Sequence, residues 1–280
     1  MLVNLDTILE IAEKKGFCVP AFNVYNMETV MGVLHAAEET RSPVIMQIYP
    51  RLVKEETAYF LAPIVLAAAK AASVPVCLHL DHGPSELEST RMLRYGATGI
   101  MLDGSILPFE ENIALTKRVV DTCSYLGVGV EGELGHVGTT KDDEMDEFTT
   151  PADAKEFAER TGVSCLAIAV GTAHGRYKKP PKLDIERIKA IREATGNLPL
   201  VLHGGSGVPD EEIKKAVAAG IRKMNFSTDL CYSFLDSCLE ELSNPAHAVG
   251  IDTFMKKPIE AVKNFCISKI KLVGAVGGVE

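Results

Sequence analysis

Short apolar runs alternate with helical patterns eight times along this chain, and that alternation leaves few architectures open. The runs are VPAFNV (19–24), VIMQIY (44–49), VPVCLHL (74–80), GIMLDG (99–104), VGVEGEL (128–134), CLAIAVG (165–171), LPLVLHG (198–204) and IRKMNFS (221–227). Most are apolar nearly throughout rather than at every second position. Each therefore predicts a strand covered on both faces, as in a parallel sheet. Between them lie helical stretches such as METVMGVLHAAEET, KEETAYFLAPIVLAAAKAA and DIERIKAIREATG. Several open on a Ser, Thr or Asp cap followed by acids and stop at Gly, which is the punctuation of a helix. Eight strand–helix units in about 225 residues fit a closed (β/α)8 TIM barrel. A doubly wound open sheet is the competing α/β architecture, but no GxGxxG follows the first run. No linker or composition break divides the chain, so residues 1–280 read as one barrel domain. The tail, IDTFMKKPIEAVKNFCISKIKLVG (251–274), predicts one or two further helices for packing or dimerisation.

Composition narrows the class of function. The chain is 46% apolar, with a net charge of −9 and the two signs interspersed. It has no basic stripe with interleaved aromatics, so a nucleic-acid surface is not expected. The longest apolar stretch, FLAPIVLAAAKAA (60–72), is too short to span a bilayer and contains a lysine. The opening MLVNLDTILEIAEKKG reads as an amphipathic helix, not a signal peptide. Seven cysteines are scattered without CxxC spacing, which predicts reduced thiols in a cytoplasmic protein.

Active sites of barrels lie at the C-terminal ends of the strands, and polar residues collect there: Asn23, Asp81, His82, Asp103, Glu133, His174, His203 and Asn225. One histidine at such a place is more often a satisfied polar side chain than a ligand. Three at matching strand ends, His82, His174 and His203, can hold one Zn²⁺-like ion and leave a position open for substrate. Asp103 and Glu133 could add oxygen ligands at a second position or orient the imidazoles. Asp81, beside His82, is the acid–base candidate, with support of a histidine as its plainer role. His79 is expected inside the barrel, while His35, His136 and His247 read as incidental.

Two loops read as an anion cradle. HGGSGVPDEE (203–212) brings Gly204, Gly205 and Ser206 to a helix start, and MNFSTD (224–229) brings Asn225, Phe226, Ser227 and Thr228. Converging backbone N–H groups at a helix start favour phosphate, although either loop alone is equally an ordinary capped turn. GHVGTTKDDEMDEFTTP (135–151) is either a loose connection or a lid.

VPVCLHLDHG, EGELG (131–135), AVGTAHG (169–175), LVLHGGSG (200–207) and MNFSTD, with PAFNVYN (20–26) and GIMLDGS (99–105), together resemble the class II, zinc-dependent ketose-bisphosphate aldolases. The resemblance runs nearly the whole length, in order. It implies reversible aldol cleavage of a phosphorylated ketose, such as fructose or tagatose 1,6-bisphosphate, to dihydroxyacetone phosphate and an aldehyde. It implies zinc on His82, His174 and His203, with Asp103 and Glu133 at an alternative metal position. Asp81 would move the proton at the C4 hydroxyl. Asn23, Gly175, Gly204, Gly205, Ser206, Asn225, Ser227 and Thr228 would hold the dihydroxyacetone phosphate half, with a monovalent cation (Na⁺ or K⁺) near the phosphate. A homodimer or homotetramer is implied as well. No Schiff-base lysine is needed; Lys223 is the nearest candidate.

Three departures from the family pattern bear on the substrate. Lys141 lies where the lid of relatives carries an acid, Tyr49 and Pro50 stand where relatives have small residues, and GAVGGVE (274–280) lacks a basic residue found in relatives. Arg51, Lys54 or Lys141 could take the place of the arginine that binds the distal phosphate. A metal-dependent sugar-phosphate epimerase or isomerase, and a non-catalytic phosphosugar-binding barrel, are the alternative readings.

Overall fold

The computed structural model describes residues 1–135, 148–173, 181–244, 246 and 250–279. In chain order the elements are α1 (Leu5–Lys15), β1 (Val19–Asn23), α2 (Met27–Thr40), β2 (Val44–Ile48), α3 (Pro50–Lys54), α4 (Thr57–Ala71), β3 (Val76–Gly83), α5 (Glu86–Arg94), β4 (Gly99–Leu102) and α6 (Phe109–Ser124). They continue with β5 (Gly129–Leu134), α7 (Pro151–Thr161), β6 (Cys165–Ile168), α8 (Ile185–Ala194), β7 (Leu200–Leu202), α9 (Asp210–Ala219), β8 (Ile221–Phe226), α10 (Thr228–Ser243), α11 (Ile251–Phe254) and α12 (Lys256–Leu272). All eight strands pair in parallel, and β8 returns to β1, so the sheet is a closed (β/α)8 barrel. The expected architecture is the observed one.

Local chemistry explains the differences in detail. The helical pattern at 54–72 is α4, beginning at Thr57, and a short helix, α3, comes before it; Glu56 sits in the left-handed region (φ 62) and breaks the path between the two. β6 and β7 are shorter than their apolar runs; beyond Ile168 the chain leaves the sheet, Ala169 exchanging hydrogen bonds with Thr149 and Val170 O accepting from Asp184 N. β3 is longer, reaching Gly83, and its register against β4 shifts between Leu80 and Gly83.

Both ends of the chain pack at the N-terminal mouth of the barrel. Val3 N donates to Val76 O at the start of β3, and Leu5 N donates to Thr98 O just before β4. The tail closes the same face: Cys18 N donates to Val273 O, and Gly277 N donates to Thr40 O. The opposite mouth is thus left to the βα loops. The cysteines are free, with Cys18, Cys77, Cys123, Cys165 and Cys266 buried. Among the described residues no helix is long and apolar enough to cross a membrane.

The expected terminal helices are α11 and α12. α12 docks along α2 and over the outer face of the sheet, where Phe265 meets Phe22 and Phe22 meets Phe226. Close approach depends on Gly32 of α2: a Cβ there would lie 2.6 Å from Val262 Cγ1 and 3.0 Å from Ile259 O. Gly32→Ala should therefore force α12 away and lower stability by about 1–3 kcal/mol, read as a shift in the denaturation midpoint. An unchanged midpoint would refute this account of the docking.

Candidate active site

The site is built on a break in the rules of a strand. Asp81 and His82 are adjacent, and in regular β structure they would face opposite sides of the sheet. His82 instead adopts φ 47, within the bulged end of β3, and both side chains line the same cavity. A left-handed conformation costs a non-glycine residue roughly 1–2 kcal/mol. Strain of this sort is retained where the surroundings fix the residue. The cavity encloses about 700 Å³.

Each described imidazole at the site is held by a carboxylate through one ring nitrogen; His82 lines the cavity, while His203 is fully buried beside it. His82 Nδ1 donates to Asp103 Oδ2 at 2.7 Å, and Asp103 Oδ1 accepts from Ser105 N and Oγ. His203 Nε2 donates to Glu131 Oε1 at 2.7 Å. The two rings meet edge to face, with centroids 4.5 Å apart. Ligand atoms of Asp81, His82 and His203 lie within 4.8 Å of one another, and so do those of His82, Asp103 and Glu133. On the Nδ1 side of His82, Glu133 Oε2 stands 3.7 Å away, and it is 3.3 Å from His203 Nδ1. His174 and Gly175 lie outside the described residues, as does Lys141.

Asp81 is buried between two amides. Asn23 Nδ2 donates to one oxygen at 2.7 Å and Asn225 Nδ2 to the other at 2.9 Å. Burial pushes its carboxyl up, but the charges of His82, His203 and Lys223 and the Asn23 hydrogen bond prevail and hold it below its ordinary value. For His82, burial favours the neutral ring, yet Asp81, Asp103 and Glu133 outweigh it and raise the imidazole to about 10. Asp103 is held well below the usual carboxylate range: burial opposes this, and the hydrogen bond and charge of His82 overcome it.

The two loops after β7 and β8 meet at the cavity, which Gly204, Gly205, Ser206, Asn225, Ser227 and Thr228 line. Gly204 has φ 66, and a Cβ there would sit 2.5 Å from Ala173 O, so only glycine fits. Ser206 Oγ accepts from Asp229 N and ties the loops together, while the Ser227 hydroxyl is 2.7 Å from that of Tyr25. Phe226 differs from its neighbours: its ring is fully buried against Phe22 on the outer face of the sheet, so any contact with a ligand is left to its main chain.

Several site residues were missed at strand ends because they lie deeper. Glu131, Lys223 and Gln47 are fully buried inside the barrel, as is His79, whose Nε2 is 3.2 Å from Glu131 Oε2. Their signal was the spacing of two in EGE and KMN, which puts Glu131 with Glu133 and Lys223 with Asn225 on one face of a strand. The remaining wall of the cavity carries Tyr49, Pro50, Arg51 and Lys54 from the end of β2 and α3. The Tyr49 ring stands 6.3 Å from that of His82.

The chain and its fold have relatives among known proteins. A family model of class-II fructose-bisphosphate aldolases matches residues 3–278. The chain belongs to the class II fructose-bisphosphate aldolase family. It is 39% identical over 272 residues to the sulfofructosephosphate aldolase of Alkalicoccus urumqiensis, covering 92% of this chain and 94% of that protein. Its structure superposes on the YdjI aldolase of Escherichia coli K12 with a TM-score of 0.90 at 38% identity, covering 100% of both chains. The fructose-bisphosphate aldolase of Campylobacter jejuni gives 0.84 at 26% identity, over 99% of this chain and 97% of that one. As a class II aldolase the chain is a carbon–carbon lyase acting on ketose phosphates.

Class II aldolases are generally metal-dependent, and the donors fit: two imidazoles and carboxylates, borderline and hard ligands suited to a divalent cation. Below pH about 10 the metal-free His82 carries a proton that a bound cation must expel. Affinity for Zn²⁺ should therefore rise with pH, by up to about tenfold per unit for each proton released. Competition with a chelator across pH 6–8.5 measures this; a flat profile would contradict the charged ring.

Proposed function

We propose that this aldolase is zinc-dependent and cleaves a ketose 1-phosphate with an anionic far end to dihydroxyacetone phosphate and an aldehyde. The observation that carries the reading is Asp81: a buried carboxylate, one residue from His82 and clamped by Asn23 and Asn225 at the cavity floor. His82, His174 and His203 would hold the ion, with Asp103 and Glu133 able to offer a second position. When bound, Zn²⁺ withdraws electrons from the ketose carbonyl as a Lewis acid. Asp81 would take the proton of the C4 hydroxyl as the C3–C4 bond breaks. The electron pair of that bond passes into the three-carbon half, which gains a proton at C3 from water before it leaves as dihydroxyacetone phosphate. In the direction of synthesis Asp81 returns its proton to the C4 oxygen. Its low proton affinity keeps it ready as a base at neutral pH. Gly204, Gly205, Ser206, Ser227 and Thr228 would hold the phosphate through N–H and hydroxyl donors.

The far end of the substrate would lie along α3. Arg51 and Lys54 line that wall, and the Arg51 charge is felt at Tyr49 and Cys231. A phosphate or a sulfonate suits a guanidinium there. The names of the fructose-bisphosphate and sulfofructosephosphate aldolases above contain both groups. A cytoplasmic setting agrees with the free thiols. Self-association agrees with the exposed stripe of Tyr232, Leu235, Leu239 and Leu242 on α10.

A panel of ketose 1-phosphates ending in phosphate, sulfonate or hydroxyl, assayed for dihydroxyacetone phosphate, tests the reading. Release should be abolished by chelation and restored by Zn²⁺; no release from any member by the zinc-loaded protein would refute it. Asp81→Ala should keep its zinc and lose about 10²–10⁴-fold in kcat, and retained turnover would remove the proton role. Arg51→Ala should raise KM about tenfold for anionic ends and leave the hydroxyl-ended ketose unchanged; an equal change for both would dismiss the α3 subsite.

A further inference from the structure

Lys223 is a fully buried lysine that the chemistry above does not use. It sits inside the barrel on β8 and is absent from the cavity lining. Its Nζ is already engaged twice, donating to Asn225 Oδ1 at 2.6 Å and facing Glu131 Oε2 at 2.8 Å. An amine so placed is no candidate to attack a carbonyl. The geometry points instead to a positioning role: we propose that Lys223 locks Asp81, through Asn225, and His203, through Glu131, into one arrangement.

The argument follows from what each group can donate or accept. An ammonium has donors and no acceptor. Facing Lys223, the Asn225 amide must present its oxygen, which turns its NH₂ toward Asp81 Oδ1. Rotated by half a turn, the same amide would set a carbonyl oxygen against the carboxylate. On the other side of Asp81, Gln47 Nε2 donates to Asn23 Oδ1 at 3.1 Å, and Asn23 in turn donates to Asp81 Oδ2. Both oxygens of Asp81 are thus held by amides whose sense is fixed from behind. Lys223 also stands against one oxygen of Glu131, alongside His79, and leaves the other for His203 Nε2. That bond fixes Nδ1 as the nitrogen of His203 left on the side of Glu133, which is the usual way that outer groups tune a metal ligand. One cation therefore sets both the proton-transfer carboxylate and a metal-binding ring.

The proposal rests on the aldolase reading for the role of Asp81, but half of its test needs no substrate. Lys223→Met alone would strand Glu131 as a buried unpaired charge and could unfold the barrel. The informative pair is Glu131→Gln and Lys223→Met/Glu131→Gln, the second of which removes both charges together. Zinc affinity is measured by chelator competition, and kcat and KM at saturating zinc. Relative to the parent, Glu131→Gln should bind zinc about 10–100-fold more weakly. Relative to Glu131→Gln, the double variant should lose a further 30-fold or more in kcat, with KM changed less than threefold and the folded state retained. A general structural defect would move KM and the thermal midpoint as well, and that pattern overturns the proposal. So does a folded double variant with the kcat of Glu131→Gln, or a Glu131→Gln protein with parental zinc affinity. If the parent cleaves no ketose phosphate while Glu131→Gln still loses zinc affinity, the aldolase reading fails and the link from Glu131 to His203 stands.

Discussion

The upper interior of this barrel is polar, and it can be so because Lys223 and Glu131 lie against one another at 2.8 Å, both fully buried. Removing one ion from water costs several kcal/mol in a protein interior, and attraction offsets that only where the remaining donors and acceptors are also satisfied. Here both oxygens of Glu131 are met by donors or charge, Oε1 by the His203 hydrogen bond and Oε2 by the ammonium with His79 Nε2 3.2 Å away, and Lys223 also donates to Asn225. Burial alone would push the Glu131 carboxyl up; the lysine charge, with the two imidazoles, holds it well below its ordinary value. The barrel thereby carries a set of charged and amide groups at a depth where other barrels pack Val, Ile and Leu.

This stratum supports the cavity floor above it. Asn23, Asp81 and Asn225 come from β1, β3 and β8, strands that are not all neighbours, and no local backbone geometry could align them. Alignment comes from side-chain hydrogen bonds that each have a fixed sense. The same holds for His82, which depends on Asp103 after β4 for its ring orientation and on the bulge at Leu80–Gly83 for its direction. Loops contribute mainly what a backbone does well, the glycine-bearing cradle after β7 and β8.

The sequence carried the architecture plainly, because eight doubly buried strands each followed by a helix have few ways to close. It carried strand ends less well. Ala169 and Val170, past Ile168, look like strand but lie outside it, and Asp81 and His82 look like loop but belong to a bulged strand. Reading polar residues at strand ends found Asp81, His82, Asp103, Glu133 and His203, all of which meet at the site. It passed over Glu131 and noted Lys223 only as the nearest Schiff-base candidate, since a charge in the middle of an apolar run is invisible to a search for termini. Period-two pairing with Glu133 and Asn225 was the available sign. Phe226 shows the converse: adjacency to Asn225 and Ser227 placed it among the binding residues, while the alternation of the strand turns its ring outward.

Position also constrains how such a barrel can recognise the far end of a substrate. The described tail beyond α12 packs on the N-terminal mouth, against Phe17, Thr40 and Pro43, and cannot reach across the barrel to the cavity. Cations for a distal group must then come from the loops of the active mouth itself. The glycine-bearing loops proposed to hold phosphate follow β7 and β8, and the described histidines and carboxylates lie on or just after β3, β4, β5 and β7. Among the described residues the stretch following β2 brings cations to the cavity wall: the break at Glu56 sets α3 apart from α4 as a short separate helix carrying Arg51 and Lys54 there. Tyr49, at the root of α3 and edge-on to His82, fixes how near that wall stands to the reacting carbons. On the proposed function, substrate choice and chemistry would fall to different strands of one sheet, and α3 could change without disturbing the Lys223 network.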